Sequence, residues 1–426
     1  MLLPLLGLLA PLHAGLPVST NGLEVVTPTA AVAPVKYDLP DLITLNNGKE
    51  IECRVLVEGK EVILARVGAR KKEFAVADVK EIQSIERSLA EFFVRYDAEA
   101  GGGNDSLAEL ALFCEERALF GEARNLWIRV VLTDETNEQA WQKLGGVFTK
   151  RRGWRLKVRG RFYTLEQLRD RVADWKNAME VPTAHFLVKT DVDPIRALNV
   201  AFNLERAYLT FYGLLGPVLD LQIFDQVPEV HIPKDEKHYP APRFEGDDAW
   251  YSYAAQTVYV NGSKDNIAFQ AVYCLTQGMI DASFRRTIGG NGRIAPWAER
   301  ALSEAFAAAV QVDGSGVAKW EFGQPIMQHF NYQAADEKPM TIKKLLSAGL
   351  GAYRNPPESD RFRAQSYTLL HFLVYEDKGK YREGLGTYLR TSFKGQSAAT
   401  HLQKALGVKL KDIEVEWNAY VKDIAG

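Results

Sequence analysis

Residues 267–283 constrain the fold of this 426-residue chain more than any other stretch. Ile267, Ala271, Leu275 and Met279 recur every four positions, the spacing that stacks side chains along one face of an α-helix, and Asp265 or Asn266 stands where an N-cap is expected. The run carries almost no charge before Asp281, so a buried central helix is expected. Two side chains that can do more than pack, Tyr273 and Gln277, stand four residues apart on one of its faces. A second helix is expected over residues 296–310.

Four residues is also the spacing at which zinc peptidases of the H-E-x-x-H type present two histidine ligands from one helix, with a glutamate general base beside the first. Here the run reads Tyr273-Cys274-Leu275-Thr276-Gln277: neither ligand position is histidine, and Cys274 stands in the glutamate's place. In the second helix, Leu302-Ser303-Glu304-Ala305-Phe306-Ala307 is similar to the L-S-E-G-x-A segment that supplies the third ligand, with Glu304 as the matching acid. Alignment on Pro296-Trp297 instead would place Arg300 in that position. On these motifs the chain resembles the gluzincin-like, peptidase-MA-like domain of secreted bacterial proteins, from about Val181 to the C-terminus.

The resemblance implies a zincin-like α+β domain with a helical C-terminal half, and the replaced residues imply that it lacks peptidase chemistry. A tyrosine hydroxyl titrating near 10 is protonated at neutral pH, an amide is a weak zinc donor, and Cys274 lies about 100° around the helix from Tyr273. Glu304 alone cannot hold zinc. No metal and no cofactor are therefore expected, and Tyr273, Cys274, Gln277 and Glu304 are read as a vestigial site filled by a hydrogen-bonded polar cluster.

Composition fits a multidomain globular protein: 46% of residues are hydrophobic and 25% charged. With 52 basic against 54 acidic residues, no global charge draws the chain to nucleic acid or an anionic membrane, so any such attraction must be local. Residues 1–14 are almost wholly apolar up to His13-Ala14 and read as a secretory signal without a basic n-region, so an exported protein, periplasmic or extracellular, is expected. No later run is long and apolar enough to span a membrane. Cys53, Cys114 and Cys274 are too sparse for a disulfide framework and are expected as buried thiols.

Residues 15–40, rich in Pro, Thr, Ala and Val, read as a linker. Residues 41–88 hold five short alternating runs separated by Asn46-Asn47-Gly48, Glu58-Gly59-Lys60 and Gly68-Ala69-Arg70, the turn chemistry of hairpins, and resemble a small SH3- or Sm-like barrel. From Ser106 the period becomes helical; within residues 89–180 the segments around Leu110, Leu126 and Trp141 resemble a tetratricopeptide-like (TPR-like) connector. It ends in a basic hairpin carrying Lys150, Arg151, Arg152, Trp154, Arg155, Lys157, Arg159 and Arg161, followed by Phe162 and Tyr163. A solvated hairpin face accounts for this pattern, and so does a binding surface for an anionic polymer; nucleic acid is the less expected partner. Residues 181–426 form the gluzincin-like domain. The seven histidines show no ligand spacing, and no nucleophile elbow or phosphate-binding loop is present.

Three functions follow. The first is a binding or scaffolding module that contacts a protein or envelope polymer, the second a divergent hydrolase or metallopeptidase, and the third an anionic-polymer or nucleic-acid binder.

Overall fold

The computed structural model describes residues 40–426 except 60, 220, 224–228, 241–246, 291, 313–317 and 355–356. The expected leader and all of the linker but Pro40 lie outside the described residues, as does Lys60 of the second turn.

Strands β1 (Asp41–Leu45), β2 (Glu50–Glu58), β3 (Val62–Val67), β4 (Arg70–Ala75) and β5 (Val79–Gln83) form an antiparallel sheet in the order β4-β3-β2-β1-β5. The expected closed barrel does not form: β5 returns to pair with β1, and β4 and β5 remain its two edges. Cys53 and Val55 of β2 alternate inward against Glu52, as the sequence pattern requires. A register shift between Val55 and Val57 then breaks the alternation, so that Leu56 and Val57 are both buried. The bulge has a structural consequence, since those two residues join the core of the C-terminal half rather than the sheet's own cluster.

Helix α1 (Ile85–Glu99) starts directly after β5, where the Ser84 side chain accepts the Arg87 N–H and caps it. Leu89, Phe92, Phe93 and Tyr96 of α1 build a second cluster with α2 (Asn104–Glu116), α3 (Phe120–Thr133) and α4 (Glu138–Lys143). A meander of β6 (Val147–Thr149), β7 (Gly153–Val158) and β8 (Arg161–Tyr163) and the helix α5 (Leu165–Val172) follow. Helix α3 docks on the next segment: a Cβ at Gly121 would sit 2.8 Å from the Pro182 carbonyl, the Asn125 amide donates to that carbonyl at 2.8 Å, and Glu122 accepts the Ala184 N–H at 2.8 Å.

The C-terminal half opens with β9 (Met179–Pro182), β10 (Leu187–Thr190), α6 (Pro194–Leu219), β11 (Glu229–Ile232), the hairpin β12 (Ala249–Ser252) and β13 (Thr257–Val260), and α7 (Ile267–Ile288). Its sheet runs β12-β13-β11-β10-β9, with β10, β11 and β13 parallel and both edges antiparallel. Helix α7 packs on β12, β13 and α6, and Gly278 permits the approach: a Cβ there would lie 2.7 Å from the Tyr251 ring. The helix ends at Gly289, whose φ of +82° an L side chain rarely adopts. Helix α8 (Pro296–Ala308), the pair β14 (Val310–Val312) and β15 (Ala318–Trp320), and α9 (Met327–Ala334), α10 (Ile342–Leu346), α11 (Glu358–Tyr375), α12 (Arg382–Phe393), α13 (Ala399–Leu406) and α14 (Leu410–Ala425) complete an α+β protein.

A ladder of alternating charges joins the parts. Asp41 of β1 pairs with Arg54 of β2 at 3.1 Å, Arg54 with Glu86 of α1 at 2.7 Å, Glu86 with the Nε2 side of His185 at 3.4 Å, and His185 Nδ1 with Glu205 of α6 at 2.7 Å. The His185 ring stacks on Tyr208 at 3.8 Å. Burial opposes the charge on Glu86, but His185 and Arg54 outweigh it and hold the carboxyl down at about 2.

Candidate functional site

Helix α8 crosses α7 and packs on its other side against α11. Tyr273 projects from α7 toward α8, and its hydroxyl accepts a hydrogen bond from Arg300 Nη1 at 2.9 Å. Arg300 thus meets the face of α7 that carries Tyr273, whereas Glu304 sits one turn further along α8 and serves a different pair of partners. The Glu304 Oε1 atom lies 2.8 Å from His329 Nε2 on α9 and accepts from Arg363 Nη2 on α11 at 2.9 Å. The single cluster of Tyr273, Gln277 and Glu304 expected from sequence is therefore two arrangements side by side, and the Gln277 side chain makes no hydrogen bond among the described residues.

The electrostatics of the two differ. Burial works against the Glu304 carboxylate, but the His329 hydrogen bond and the Arg363 charge more than compensate, leaving its pKa below the ordinary carboxylate range. Burial drives the Tyr273 hydroxyl upward and Arg300 only partly opposes it, so it is a neutral phenol. Arg300 is the unusual member. It is half-buried, its Nε makes no hydrogen bond, and among the described residues no carboxylate comes within ion-pairing distance. Burial opposes its charge, but Tyr273 and the nearby Glu299 carboxylate favour it, so the guanidinium stays charged between α7 and α8 without a direct ion pair among the described residues.

Cys274 is buried beside this pair, and burial pushes its thiol up to about 12, so it is neither a nucleophile nor a thiolate ligand at neutral pH. Cys53 and Cys114 are likewise buried and free. No three His, Cys, Asp or Glu side chains come together in a metal-holding group among the described residues. Behind α8, Leu302, Phe322, Tyr367, Leu370, His371 and Tyr375 line a cavity of about 20 Å³, room for a water but not for an organic ligand.

The basic residues lie elsewhere. Lys150, Arg151 and Arg152 form the exposed turn between β6 and β7; Lys157, Arg159 and Arg161 are exposed and Arg155 half-buried. Trp154 turns inward, its ring parallel to that of Trp141 at 6.1 Å. None of these seven cations has an ion-pair partner among the described residues.

His329 and Arg363 escaped the sequence reading because they reach Glu304 from 25 and 59 residues away, on separate helices, with no spacing to announce them. Arg300 had a signal, the Pro296-Trp297 approach. No family model matches this sequence, and a comparison with curated proteins finds no match. No helix among the described residues is long and apolar enough to cross a membrane.

Proposed function

We propose that the C-terminal half is a gluzincin-like scaffold without peptidase chemistry, acting in an exported protein as a binding module. The observation that carries this reading is the 2.9 Å bond from Arg300 to the Tyr273 hydroxyl. In a zinc peptidase the corresponding helices supply metal donors; here one supplies a neutral phenol and the other a cation, which repels a divalent metal. The order β10, α6, β11, β12–β13 hairpin, α7 supports the zincin-like assignment, being the strand, helix, strand, hairpin, helix order of that family's N-terminal half. The finer readings of the other parts rest on comparable features. The return of β5 to β1 suits an open SH3- or Sm-like sheet, and the packed pair α2 and α3 suits a TPR-like connector.

Arg300 also indicates the chemistry of the ligand. An unpaired guanidinium favours a carboxylate or another small anion on its partner, and Nη2, neither bonded nor enclosed, is the donor that such a group would meet. The test is incubation of the protein, with and without a chelator, with an unfolded protein substrate. No chelator-sensitive cleavage is expected; cleavage that a chelator abolishes would overturn the reading.

A hydrolase is the second reading, and the observation that favours it is His329 held by Glu304 at 2.8 Å, since a carboxylate-oriented imidazole is the arrangement of a general base. Against it, Arg363 shares the same carboxylate oxygen, and no Ser or Cys bonds the His329 ring among the described residues. Chelator-insensitive hydrolysis lost in His329→Ala would establish this alternative.

A further inference from the structure

The basic meander plays no part in the arrangement around Arg300 and Glu304. Residues 150–171 contain nine Lys or Arg against two acids, in a chain whose net charge is −2. Charge is not its only departure from an ordinary surface. Val147, Phe148 and Phe162 are 43%, 56% and 43% exposed, and they are three of the ten large hydrophobic residues most exposed to solvent among the described residues.

The strand register places these groups. Val147 pairs with Arg155 and Lys157 with Phe162, so all four share one face of the meander. The Arg155 guanidinium lies 5.2 Å and the Lys157 ammonium 6.0 Å from the centre of the Phe162 ring. Phe148 pairs with Trp154 on the opposite face, whose inner part packs on the helical cluster through Trp154 and Leu156. Val147 and Phe148 flank the turn of Lys150, Arg151 and Arg152, so the tip of this hairpin presents two apolar side chains next to three unpaired cations.

Apolar groups that enter the acyl boundary, ringed by cations at headgroup level, are what an anionic lipid surface attracts. Single-stranded nucleic acid needs basic residues too, but its bases stack on rings in series along one face, and Phe148 and Phe162 point to opposite faces. We propose that the β6–β7 tip and the Arg155–Lys157–Phe162 face dock the protein on an anionic phospholipid surface. This is peripheral docking, independent of the ligand proposed for Arg300.

The experiment is cosedimentation of the full chain with vesicles of phosphatidylcholine alone or mixed with phosphatidylglycerol, across a salt series, with a fluorescent single-stranded oligonucleotide assayed in parallel. Binding to the anionic vesicles only, weakening as salt rises, is expected. Arg151→Ala/Arg152→Ala should bind about 30-fold more weakly, at roughly a fivefold loss per cation near the surface. Phe148→Ser should bind the same vesicles more weakly although no charge has changed. These side chains are exposed, so circular dichroism of the variants should match the parent. Equal binding to neutral and anionic vesicles, no binding to either, or variants that bind like the parent would overturn the proposal. Tighter binding to the oligonucleotide than to the anionic vesicles, lost in the double variant, would overturn it in favour of nucleic acid.

Discussion

His185 is where the charge ladder between the N-terminal sheet and the C-terminal half can be broken. It is 7% exposed, and its partner Glu205 is fully buried, accepting both the His185 backbone N–H at 2.6 Å and Nδ1–H at 2.7 Å. Burial alone would push the imidazole down, but Glu205 and Glu86 outweigh it and raise the pKa to about 9. Against 6.5 for the unfolded chain, the gap corresponds to about 3 kcal/mol of stability. Because the folded value is the higher one, this contribution is whole below pH 6.5 and disappears as pH rises through about 9. His185→Ala removes the cation and leaves the buried Glu205 with only the backbone N–H of residue 185, a loss of about 3–5 kcal/mol at neutral pH. The assay is urea unfolding of parent and variant at about pH 6 and pH 9.5. The parent should lose about 3 kcal/mol between the two and the variant little, so their curves converge at high pH. A constant difference at both pH values would show that His185 is not charged in the folded protein. Should the variant not fold, a parent stability independent of pH over this range would show the same.

His371 gives the opposite pH dependence: burial lowers its pKa to about 4, so its contribution is present above pH 6.5 and is lost as pH falls toward about 4. His371→Gln should flatten that acid limb in thermal unfolding; an unchanged limb would assign it to other groups. Gly278→Ala should destabilise by about 1–3 kcal/mol in urea although alanine is the better helix former, because its Cβ meets the Tyr251 ring. A stabilised variant would mean that α7 does not pack on β12 in this way. Arg300→Met should change stability by no more than about 1 kcal/mol, since no carboxylate is stranded by it and only the Tyr273 bond is lost. A loss of several kcal/mol would reveal an acidic partner for the guanidinium.

The sequence made the elements legible wherever the signal was local. Four-residue recurrence located α7, alternation in residues 50–55 located β2, and the Asn, Gly and Pro turns located the hairpins around them. Helix α1 carries an equally local signal, since Leu89, Phe92, Phe93 and Tyr96 have helical spacing behind the Ser84 cap. Closure of the first sheet was not legible, because hairpin turns fix neighbouring strands and carry no information on whether β4 reaches β5. At the site, the placing of Tyr273 and Gln277 four residues apart on one face of α7 was legible from spacing alone. The partner of Tyr273 was only half legible: Arg300 is 27 residues away, and the choice between Arg300 and Glu304 depends on how α8 is rotated against α7.

The central claim is that a cation, not a metal, stands between α7 and α8. Its most direct test is the zinc content of protein purified without a histidine tag and dialysed against trace zinc, measured by mass spectrometry of the metal. The Tyr273–Arg300 pair predicts far less than one zinc per chain, unchanged in Glu304→Gln. About one zinc per chain, lost in Glu304→Gln, would contradict it and place a metal site at these helices.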